Sequence, residues 1–228
     1  MSCPLSVRHS TADDRPWIHE LRHRVYAEEL GQHATNAEGR LVDGLDGDNV
    51  YLVAARGPVR VGFVSVTPPW VDQYGLDKYL TRAELPLLDD ADVFEVRLLT
   101  VEPDARAGAA AALLMYAALR WIASRGGRRV VAMGRADLVG MYRTAGLRPV
   151  GRTVRSGAVE FEVLTGEVAE LTRGTTGRHA AALTRLAACA DWRLDSSFAP
   201  RPDGCEHGGG LDRGNTPTHL RQVILQPR

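Results

Sequence analysis

The middle of the chain decides the fold, and from Phe94 to Leu147 it reads FEVRLLTVEPDARAGAAAALLMYAALRWIASRGGRRVVAMGRADLVGMYRTAGL. The apolar run Val93–Val101 is interrupted by charged residues at alternate positions and is followed by Pro103, a pattern typical of a strand. A turn over Ala105–Gly108 then leads into a long helix rich in alanine and leucine, a second strand and a short helix. The first backbone amides of such a helix lack intrahelical partners and favour a phosphate. The stretch therefore predicts a strand–turn–helix unit that can hold an anion.

The segments on either side complete one α/β sheet. Further strands are predicted at Leu5–His9, Tyr51–Arg56, Val59–Thr67, Leu147–Arg155 and Ala158–Leu164. Helices are predicted from Thr11 to Leu30 and over Arg178–Ala190, with loops at Gln32–Asp48 and Pro68–Asp92. We expect a mixed, mostly antiparallel sheet of about seven strands flanked by helices, with parallel pairing where a helix crosses over. Residues 1–166 form the predicted main domain and residues 167–228 a C-terminal helix and irregular tail, with no element assigned from Asp191 onward.

Composition excludes some classes of protein and points to an anionic partner. The 228 residues are 44% hydrophobic, and neither a membrane-spanning run nor the apolar core of a signal peptide is present, so a cytoplasmic protein with no membrane partner is expected. The formal net charge is zero, yet residues 97–155 hold 11 arginines against 3 acids, a local charge of +8. An acidic partner for this segment, or a merely solvated arginine-rich surface, explains that charge equally well. No nucleic-acid partner is expected.

Two motifs within the opening stretch resemble a known family. Val101–Arg106 reads VEPDAR and precedes the alanine-rich helix, and Met141–Leu147 reads MYRTAGL, which is very similar to the "LY-x-x-x-GF" signature of the GCN5-related N-acetyltransferase superfamily. The resemblance covers roughly Leu5 to Leu164 and implies an acyltransferase domain. In that family the fourth strand splays from the fifth, and the pantetheine arm of an acyl thioester lies in the gap.

The resemblance also implies where the donor binds. The backbone of Leu99, Thr100 and Val101 would face the oxyanion and the pantetheine arm. The turn that follows would hold the phosphates, through Arg106, Ala107, Gly108, Ala109, Ala110 and Ala111. No permanently bound cofactor is implied, since acyl-phosphopantetheine or acyl-CoA acts as a co-substrate.

A narrower resemblance suggests the type of donor. The segment Leu21–Gly31, the pair Asp43 and Asp46, and the strand FEVRLLTV look like the branch that holds acyl-homoserine-lactone synthases and N-acyl amino acid synthases, whose members take acyl groups from carrier proteins. Here Arg97 follows Glu95 after one residue, where the branch usually has Glu-x-Ser-Arg, so a homoserine-lactone product is not carried over. Alanines replace the family's glycines in the phosphate turn, and a Cβ there hinders close approach of a pyrophosphate. With the basic segment, this favours an acidic acyl or peptidyl carrier protein over free CoA.

The tail carries a further resemblance. The residues from Cys189 to Leu194, with the prolines and Cys205-Glu-His-Gly-Gly beyond, are similar to the segment that joins such a domain to a pyridoxal-phosphate aminotransferase-like enzyme in actinobacterial fusions. That resemblance favours a stand-alone relative in specialised-metabolite (antibiotic) biosynthesis. Zinc binding by Cys189, Cys205 and His207 is disfavoured because the spacing is wide and a fourth ligand is missing, so no metal is expected.

Two residues are the candidate catalysts. Amide formation needs an uncharged amine and a proton for the departing thiolate. Glu95 is either the general base or an ion-pair partner that orients the cleft through Arg97. Tyr142, in the family's signature, is either the acid that protonates the thiolate or a tyrosine packed against the pantetheine.

The acceptor is expected to meet residues from several segments: Arg24, Tyr26, His33, Asp43, Asp46, Trp70 and Arg97, with Tyr74 and Tyr79 as further wall candidates. Solvated loop acids, an exposed histidine and a satellite core are the alternatives for these positions. The sequence thus predicts an N-acyltransferase that moves an acyl group from carrier-bound phosphopantetheine to a small-molecule amine. An acetyl-CoA-dependent N-acetyltransferase and a non-catalytic pantetheine-binding module are the alternatives.

Overall fold

The computed structural model describes residues 5–174 and 180–194, and it contains one mixed sheet of eight strands in the order β6-β7-β5-β4-β3-β2-β1-β8. The strands are β1 (Leu5–His9), β2 (Val50–Arg56), β3 (Val59–Thr67), β4 (Val93–Val101), β5 (Arg129–Arg135), β6 (Arg148–Ser156), β7 (Val159–Glu167) and β8 (Asp191–Arg193). Neighbours are antiparallel except for β4 with β5 and β1 with β8, which are parallel. The predicted fold class is confirmed.

The sheet has one strand more than the count of about seven that was expected. The additional strand, β8, lies in the tail to which no element was assigned, and it pairs with Ser6–Arg8. Its Trp192 packs its ring against Tyr116 and donates its indole N–H to the Ala187 carbonyl. These tertiary contacts fix a strand that three residues cannot specify locally.

Helices cover both faces of the sheet. They are α1 (Arg15–Arg22), α2 (Ala110–Ser124), α3 (Val139–Thr144), α4 (Val168–Gly174) and α5 (Ala180–Cys189). Short 3-10 turns lie at Ala12–Asp14, Gly75–Lys78, Pro86–Asp89, Pro103–Ala105 and Ala136–Leu138. The single helix predicted from Thr11 to Leu30 is instead a 3-10 turn, then α1, then a π-helical segment, His23–Glu29. Such wide turns are frequent at functional sites.

Two hydrophobic layers follow from the alternation of side chains along the strands. Leu52, Phe94 and Val130 face α2, whose buried alanines and leucines complete that layer. Their neighbours Tyr51, Val93 and Val131 face the opposite side, where α1 and the 68–92 connection pack. In β4, the alternation therefore places Val93, Glu95 and Arg97 on the α1 side of the sheet.

The centre of the sheet opens between two parallel strands. β4 and β5 pair through Val93–Glu95 and Arg129–Val131, and beyond these residues they diverge. On the other edge of β4 a bulge places two residues, Leu98 and Leu99, opposite Val64 of β3. Leu98 has a φ of 53°, which is rare for a residue with a branched side chain. The opening and the bulge together shape the site.

Candidate active site

The opening between β4 and β5 holds a cavity of about 860 Å³. Its walls come from the diverging ends of these two strands, from α2 and α3, and from the segments 22–44 and 75–79. The lining is charged at Asp43, Glu95 and Arg97, and it is apolar where it includes Leu147, Leu164 and Leu171, which belong to the hydrophobic layer against α2. A volume in the upper part of the range for ligand pockets suits an extended molecule.

Glu95 is the buried acid of the cavity. Its side chain is 1% exposed, and its Oε2 accepts a hydrogen bond of 2.6 Å from the Gly75 amide. Burial raises the pKa of Glu95, against the opposing effects of Arg97 and of the amides of Gly75 and Leu76. The ion pair with Arg97 that the sequence left open is long, at 3.8 Å from Nε to Oε2. Among the residues that the structure describes, none hydrogen-bonds Oε1.

Asp43 organises the cations at the same end. Its Oδ2 lies 2.7 Å from Arg97 Nη2 and 3.5 Å from Arg22 Nη2, and its Oδ1 lies 2.9 Å from Lys78 Nζ. Burial raises the pKa of Asp43, but the charge of Arg97, the Leu45 amide and Lys78 together hold it well below the usual range. Asp43 is thus an ionised group inside a network rather than a solvated loop acid.

Of the three residues expected at the oxyanion and the pantetheine arm, only Leu99 lines the cavity. Leu98 and Leu99, at the bulge, line the cavity, whereas Thr100 and Val101 are fully buried and lie outside its lining. The Thr100 hydroxyl donates to the Leu98 carbonyl and contacts the hydroxyl of Tyr26 at 3.0 Å. The bulge displaces the backbone between Arg97 and Leu99. Bulges of this kind are common next to active sites, where a backbone amide can face an oxyanion.

Tyr142 lies on the wall opposite the bulge, where α3 meets β5. Its ring rests on Gly134, since a Cβ at that glycine would come within 2.4 Å of Tyr142 Cε2. Burial raises the pKa of Tyr142, opposed by a hydrogen bond from the Arg135 backbone and by the Arg135 charge. Arg135 is held by Asp137 at 3.0 and 2.5 Å.

The turn after β4 is largely outside the cavity. Helix α2 begins at Ala110 with Ala109 as its N-cap, and Ala111 lines the cavity while residues 106–110 do not. Arg106 donates to both carboxylate oxygens of Glu29, at 2.9 and 2.7 Å, and to the Val101 carbonyl. The guanidinium expected to hold a phosphate is therefore engaged with the end of the π-helical segment.

The model of the acetyltransferase (GNAT) family matches residues 11–147. The chain belongs to this family. Solved structures of similar fold include the CoA-dependent acyl-homoserine lactone synthase BjaI with SAM and isopentyl-CoA (20% identity, 87% of this chain and 95% of that chain, TM-score 0.65). Another is FeeM, an N-acyl amino acid synthase from uncultured soil microbes (16% identity, 76% and 96%, TM-score 0.60). A putative N-acetyltransferase from Lactobacillus plantarum is also similar (17% identity, 72% and 99%, TM-score 0.55).

The resemblance to the GNAT superfamily, and in fold to the branch of these synthases, is confirmed. The protein is an acyltransferase of the GNAT family. A comparison with curated proteins found no match.

Three residues expected near the acceptor lie elsewhere in this GNAT acyltransferase. Arg24 is exposed and pairs with Glu102 at 2.8 Å. Asp46 sits behind the cavity, where it contacts His19, Arg22 and Tyr51. Trp70 is 61% exposed, and its ring packs edge-on against Phe94 and at a tilt against Trp121, on the α2 side of the sheet.

The other acceptor candidates, Tyr26, His33, Asp43 and Arg97, do line the cavity, as does Tyr79. His33 lies at the exposed rim of the cavity. The pKa of its imidazole is lowered by loss of solvent on the cavity side and by the charges of Arg22 and Lys78. Tyr74 is buried behind Glu95, and its hydroxyl donates a hydrogen bond to the Val93 carbonyl.

Sequence reasoning missed three residues of the GNAT site: Arg22, Gly75 and Lys78. Gly75 both donates to Glu95 and makes room for Arg97, because a Cβ there would lie 2.5 Å from Arg97 Nε. One sequence feature did point to this region: the 68–92 connection is unusually long, and such loops are often functional. In the structure this connection places Gly75–Lys78 beside β4.

Across residues 5–174 and 180–194, no group of three or more His, Cys, Asp or Glu side chains is placed to hold a metal ion. Cys205 and His207 lie outside these ranges, and Cys189 is exposed. Within the same ranges, none of the helices combines the length and the apolar character needed to cross a bilayer.

Proposed function

We propose that the protein moves an acyl group from a phosphopantetheine thioester to the amine of a small molecule, forming an amide. One observation carries this proposal. The cavity between the diverging strands has the buried carboxylate of Glu95 on one wall and the phenol of Tyr142 on the other. A thioester arm placed in the gap would have a base on its acceptor side and an acid on its donor side.

The reaction divides between these two residues. The acceptor loses a proton to Glu95, and its nitrogen attacks the thioester carbonyl carbon, while a backbone amide near Leu98–Leu99 stabilises the oxyanion. The C–S bond then breaks, the thiolate takes a proton from the Tyr142 hydroxyl, and the surplus proton on the attacking nitrogen passes to the resulting phenolate. Burial raises the pKa of Glu95, which makes its ionised form a stronger base than an exposed carboxylate.

The proposed donor is an acidic acyl or peptidyl carrier protein. Arg106 forms an ion pair with Glu29, so it is less available to bind a phosphate. A carrier's phosphopantetheine has a single phosphodiester and needs fewer phosphate contacts than CoA does. Arg143, exposed on α3 directly after Tyr142, supplies positive charge near the cavity. The apolar part of the lining, which includes Leu147, Leu164 and Leu171, gives room for an acyl group larger than acetyl.

Single-turnover transfer with one acyl group on a carrier protein and on CoA tests the donor. We expect the carrier donor to react faster, and Arg143→Glu to slow the carrier reaction about 10-fold or more while the CoA reaction changes less, because long-range attraction acts on association. Arg125→Glu, at the exposed C-terminal end of α2, is the matched control. Equal or faster transfer from CoA would reject the carrier.

The second candidate is a CoA-dependent acyltransferase that modifies a small amine. It is favoured by the start of α2, whose first-turn amides have no intrahelical partners and suit the phosphates of CoA. BjaI, which is similar in fold, is a CoA-dependent acyl-homoserine lactone synthase. Tight carrier binding without turnover would instead favour a binding module. A place in antibiotic biosynthesis is proposed from the tail sequence alone.

A further inference from the structure

The bulge in β4 holds a strained peptide beside the gap. Leu98, with a φ of 53°, is the one non-glycine residue with a positive φ among those that the structure describes. Such strain persists only where the surroundings hold it, and it is often found at functional sites. Leu98 and Leu99 both line the cavity, and β4 has already left β5 here, since their pairing ends at Glu95 and Val131. The peptide that joins Leu98 to Leu99 therefore lies at the gap.

Two hydroxyl groups hold the carbonyl of this peptide. Thr100 Oγ1 lies 3.0 Å from the Leu98 carbonyl oxygen and 3.0 Å from Tyr26 Oη. A carbonyl can only accept a hydrogen bond, so the single hydroxyl proton of Thr100 is donated to Leu98. The Thr100 oxygen then accepts from the Tyr26 hydroxyl. The hydrogen bonds therefore run in one direction, from Tyr26 through Thr100 to the carbonyl.

Tyr26 is suited to the outer position of this chain of hydrogen bonds. Burial raises the pKa of its phenol, which keeps the phenol protonated and able to donate. The amides of Gln32 and His33 both donate to the Tyr26 carbonyl, at 2.9 and 3.1 Å, and so fix its backbone. Thr100 is fully buried in β4. The hydrogen bonds thus link the π-helical segment to the bulge and are shielded from water.

Fixing the carbonyl of the peptide also fixes its amide. The peptide is trans, so the Leu99 N–H points away from the Leu98 carbonyl and hence away from Thr100. A bulge interrupts the ladder locally and leaves a peptide without its usual partner. If this peptide turned over, its carbonyl oxygen would take the place of the amide and would repel a developing oxyanion.

We infer that Thr100 and Tyr26 are positioning residues that hold the Leu99 amide toward the thioester carbonyl of the acyl donor. This inference rests on the proposed function and names what aligns its oxyanion contact. Both residues act through the peptide between Leu98 and Leu99 rather than on the donor itself. Because the oxyanion forms only in the transition state, the two hydroxyls act on the rate of transfer and not on donor binding.

The carbonyl stretch of a bound thioester tests the inference without turnover. Hexanoyl-CoA and hexanoyl-phosphopantetheine, each isotopically labelled at the thioester carbonyl, are added to the intact protein without an amine, and difference infrared spectra are recorded. We expect a lower stretching frequency on the parent than on Thr100→Val, in which a methyl group replaces the hydroxyl, because a hydrogen bond weakens the C=O bond. Thr100→Ser should restore the parent frequency, and Tyr26→Phe should lie between. An equal frequency on the parent and on Thr100→Val, with both donors, would overturn the inference.

The kinetics of acyl transfer supply the second test. Thr100→Val should lower the single-turnover rate about 10-fold or more, with little change in the donor concentration that gives half the maximal rate, because an oxyanion contact acts in the transition state. Thr100→Ser should recover most of that rate. Thr165→Val is the matched control, since the Thr165 hydroxyl also donates to a strand carbonyl, that of Val130 at 3.0 Å.

The variants keep the inference open to contradiction. Similar losses in Thr100→Val and Thr165→Val, or a loss that Thr100→Ser does not recover, would contradict it. Tyr26→Phe leaves the Thr100 hydroxyl in place and so tests the same hydrogen bonds if Thr100→Val does not fold, and an unchanged frequency and rate in Tyr26→Phe would also count against it. A frequency that depends on Thr100, with no transfer from either donor to any amine, would instead sink the proposed function and leave the inference standing.

Discussion

At the scale of single residues, Glu95 has opposite effects on catalysis and on stability. In the proposed mechanism its ionised form is the base, and burial raises its pKa above the ordinary value of 4.5. Transfer should therefore decline as pH falls through that raised pKa, on the acid limb of a kcat/KM profile. Glu95→Gln should lose about 10²- to 10⁴-fold in rate, the usual contribution of a general base. Single-turnover rates across pH check both points, and an undiminished rate in the variant would remove Glu95 from the mechanism.

The same carboxylate should cost stability at neutral pH. Because its folded pKa is raised, its favourable contribution is complete below the unfolded pKa and is lost as pH rises through the folded pKa. Gln keeps the acceptor for the Gly75 amide but cannot ionise. We expect Glu95→Gln to unfold at higher urea concentration than the parent at pH 7, with the gap closing in mild acid. A variant less stable at both pH values would show that the Arg97 contact outweighs burial.

Asp43 should behave in the opposite way, because its folded pKa is lowered. Its stabilisation is present above the unfolded pKa near 3.8 and is lost as pH falls through the folded value. Asp43→Asn leaves Arg97, Arg22 and Lys78 with their counter-charge removed, which should cost about 3 kcal/mol in the free energy of unfolding at pH 7. Urea denaturation of Asp43→Asn beside the exposed Asp48→Asn measures this, and similar losses in both would argue against a buried network.

At the scale of elements, the divergence of β4 and β5 decides whether a donor fits. Ala132 is the first residue of β5 beyond the paired segment, and it lines the cavity. Ala132→Phe should fill the opening and raise KM for the acyl donor about 10-fold or more, as expected when binding contacts worth at least 1.4 kcal/mol are lost. Ala123→Phe, exposed near the end of α2, controls for the added ring. Unchanged donor KM in Ala132→Phe would place the donor outside the gap.

Element by element, the sequence was informative where the pattern is local. The bounds of β1, β3 and β4 follow from alternation and from flanking Gly, Pro and Ser residues, and they match the structure. The π-helical turn His23–Glu29 is invisible to periodicity, since its sequence fits an ordinary helix. Strand β8 pairs with β1 and is anchored by Trp192, and neither contact can be read from its own three residues.

The candidate site was predictable only in part for the same reason. Glu95 and Tyr142 sit in recognisable motifs, and both line the cavity. Arg22, Gly75 and Lys78 reach it from segments that are distant in sequence from β4. Trp70, an attractive wall residue by composition, turns to the α2 side. Residue types alone do not say which side of the sheet a long connection will cover.

At the scale of the whole molecule, the β6–β7 hairpin crosses to the end of the π-helical segment. The Ala158 amide donates to the Gly31 carbonyl at 3.1 Å, and Ser156 Oγ is contacted by Gln32 Nε2 at 3.3 Å and by the Tyr79 hydroxyl at 3.0 Å. The hairpin thus joins one end of the sheet to the N-terminal helix across the opened centre. Gln32 and Tyr79 line the cavity, so this bridge holds part of its wall.

Gly157 is the position at which this bridge can be tested. Its φ is 57°, and a Cβ would come within 2.4 Å of the Gln32 carbonyl oxygen. Gly151, in the bulged part of β6, has a φ of 73° but open space around it. Both Gly→Ala changes place a side chain in the left-handed region, at about 1 kcal/mol each, and only Gly157→Ala also separates the hairpin from Gln32.

The difference between the two variants therefore isolates the bridge. We expect Gly157→Ala to lose about 1–3 kcal/mol more than Gly151→Ala in the free energy of unfolding, because overpacking against fixed backbone is added to the strain. We also expect a higher KM for the acceptor in Gly157→Ala, since the wall that carries Gln32 and Tyr79 moves. Urea denaturation and steady-state kinetics of both variants decide the matter. Equal losses, with unchanged KM, would show that the hairpin tip contributes local strain but does not hold the cavity closed.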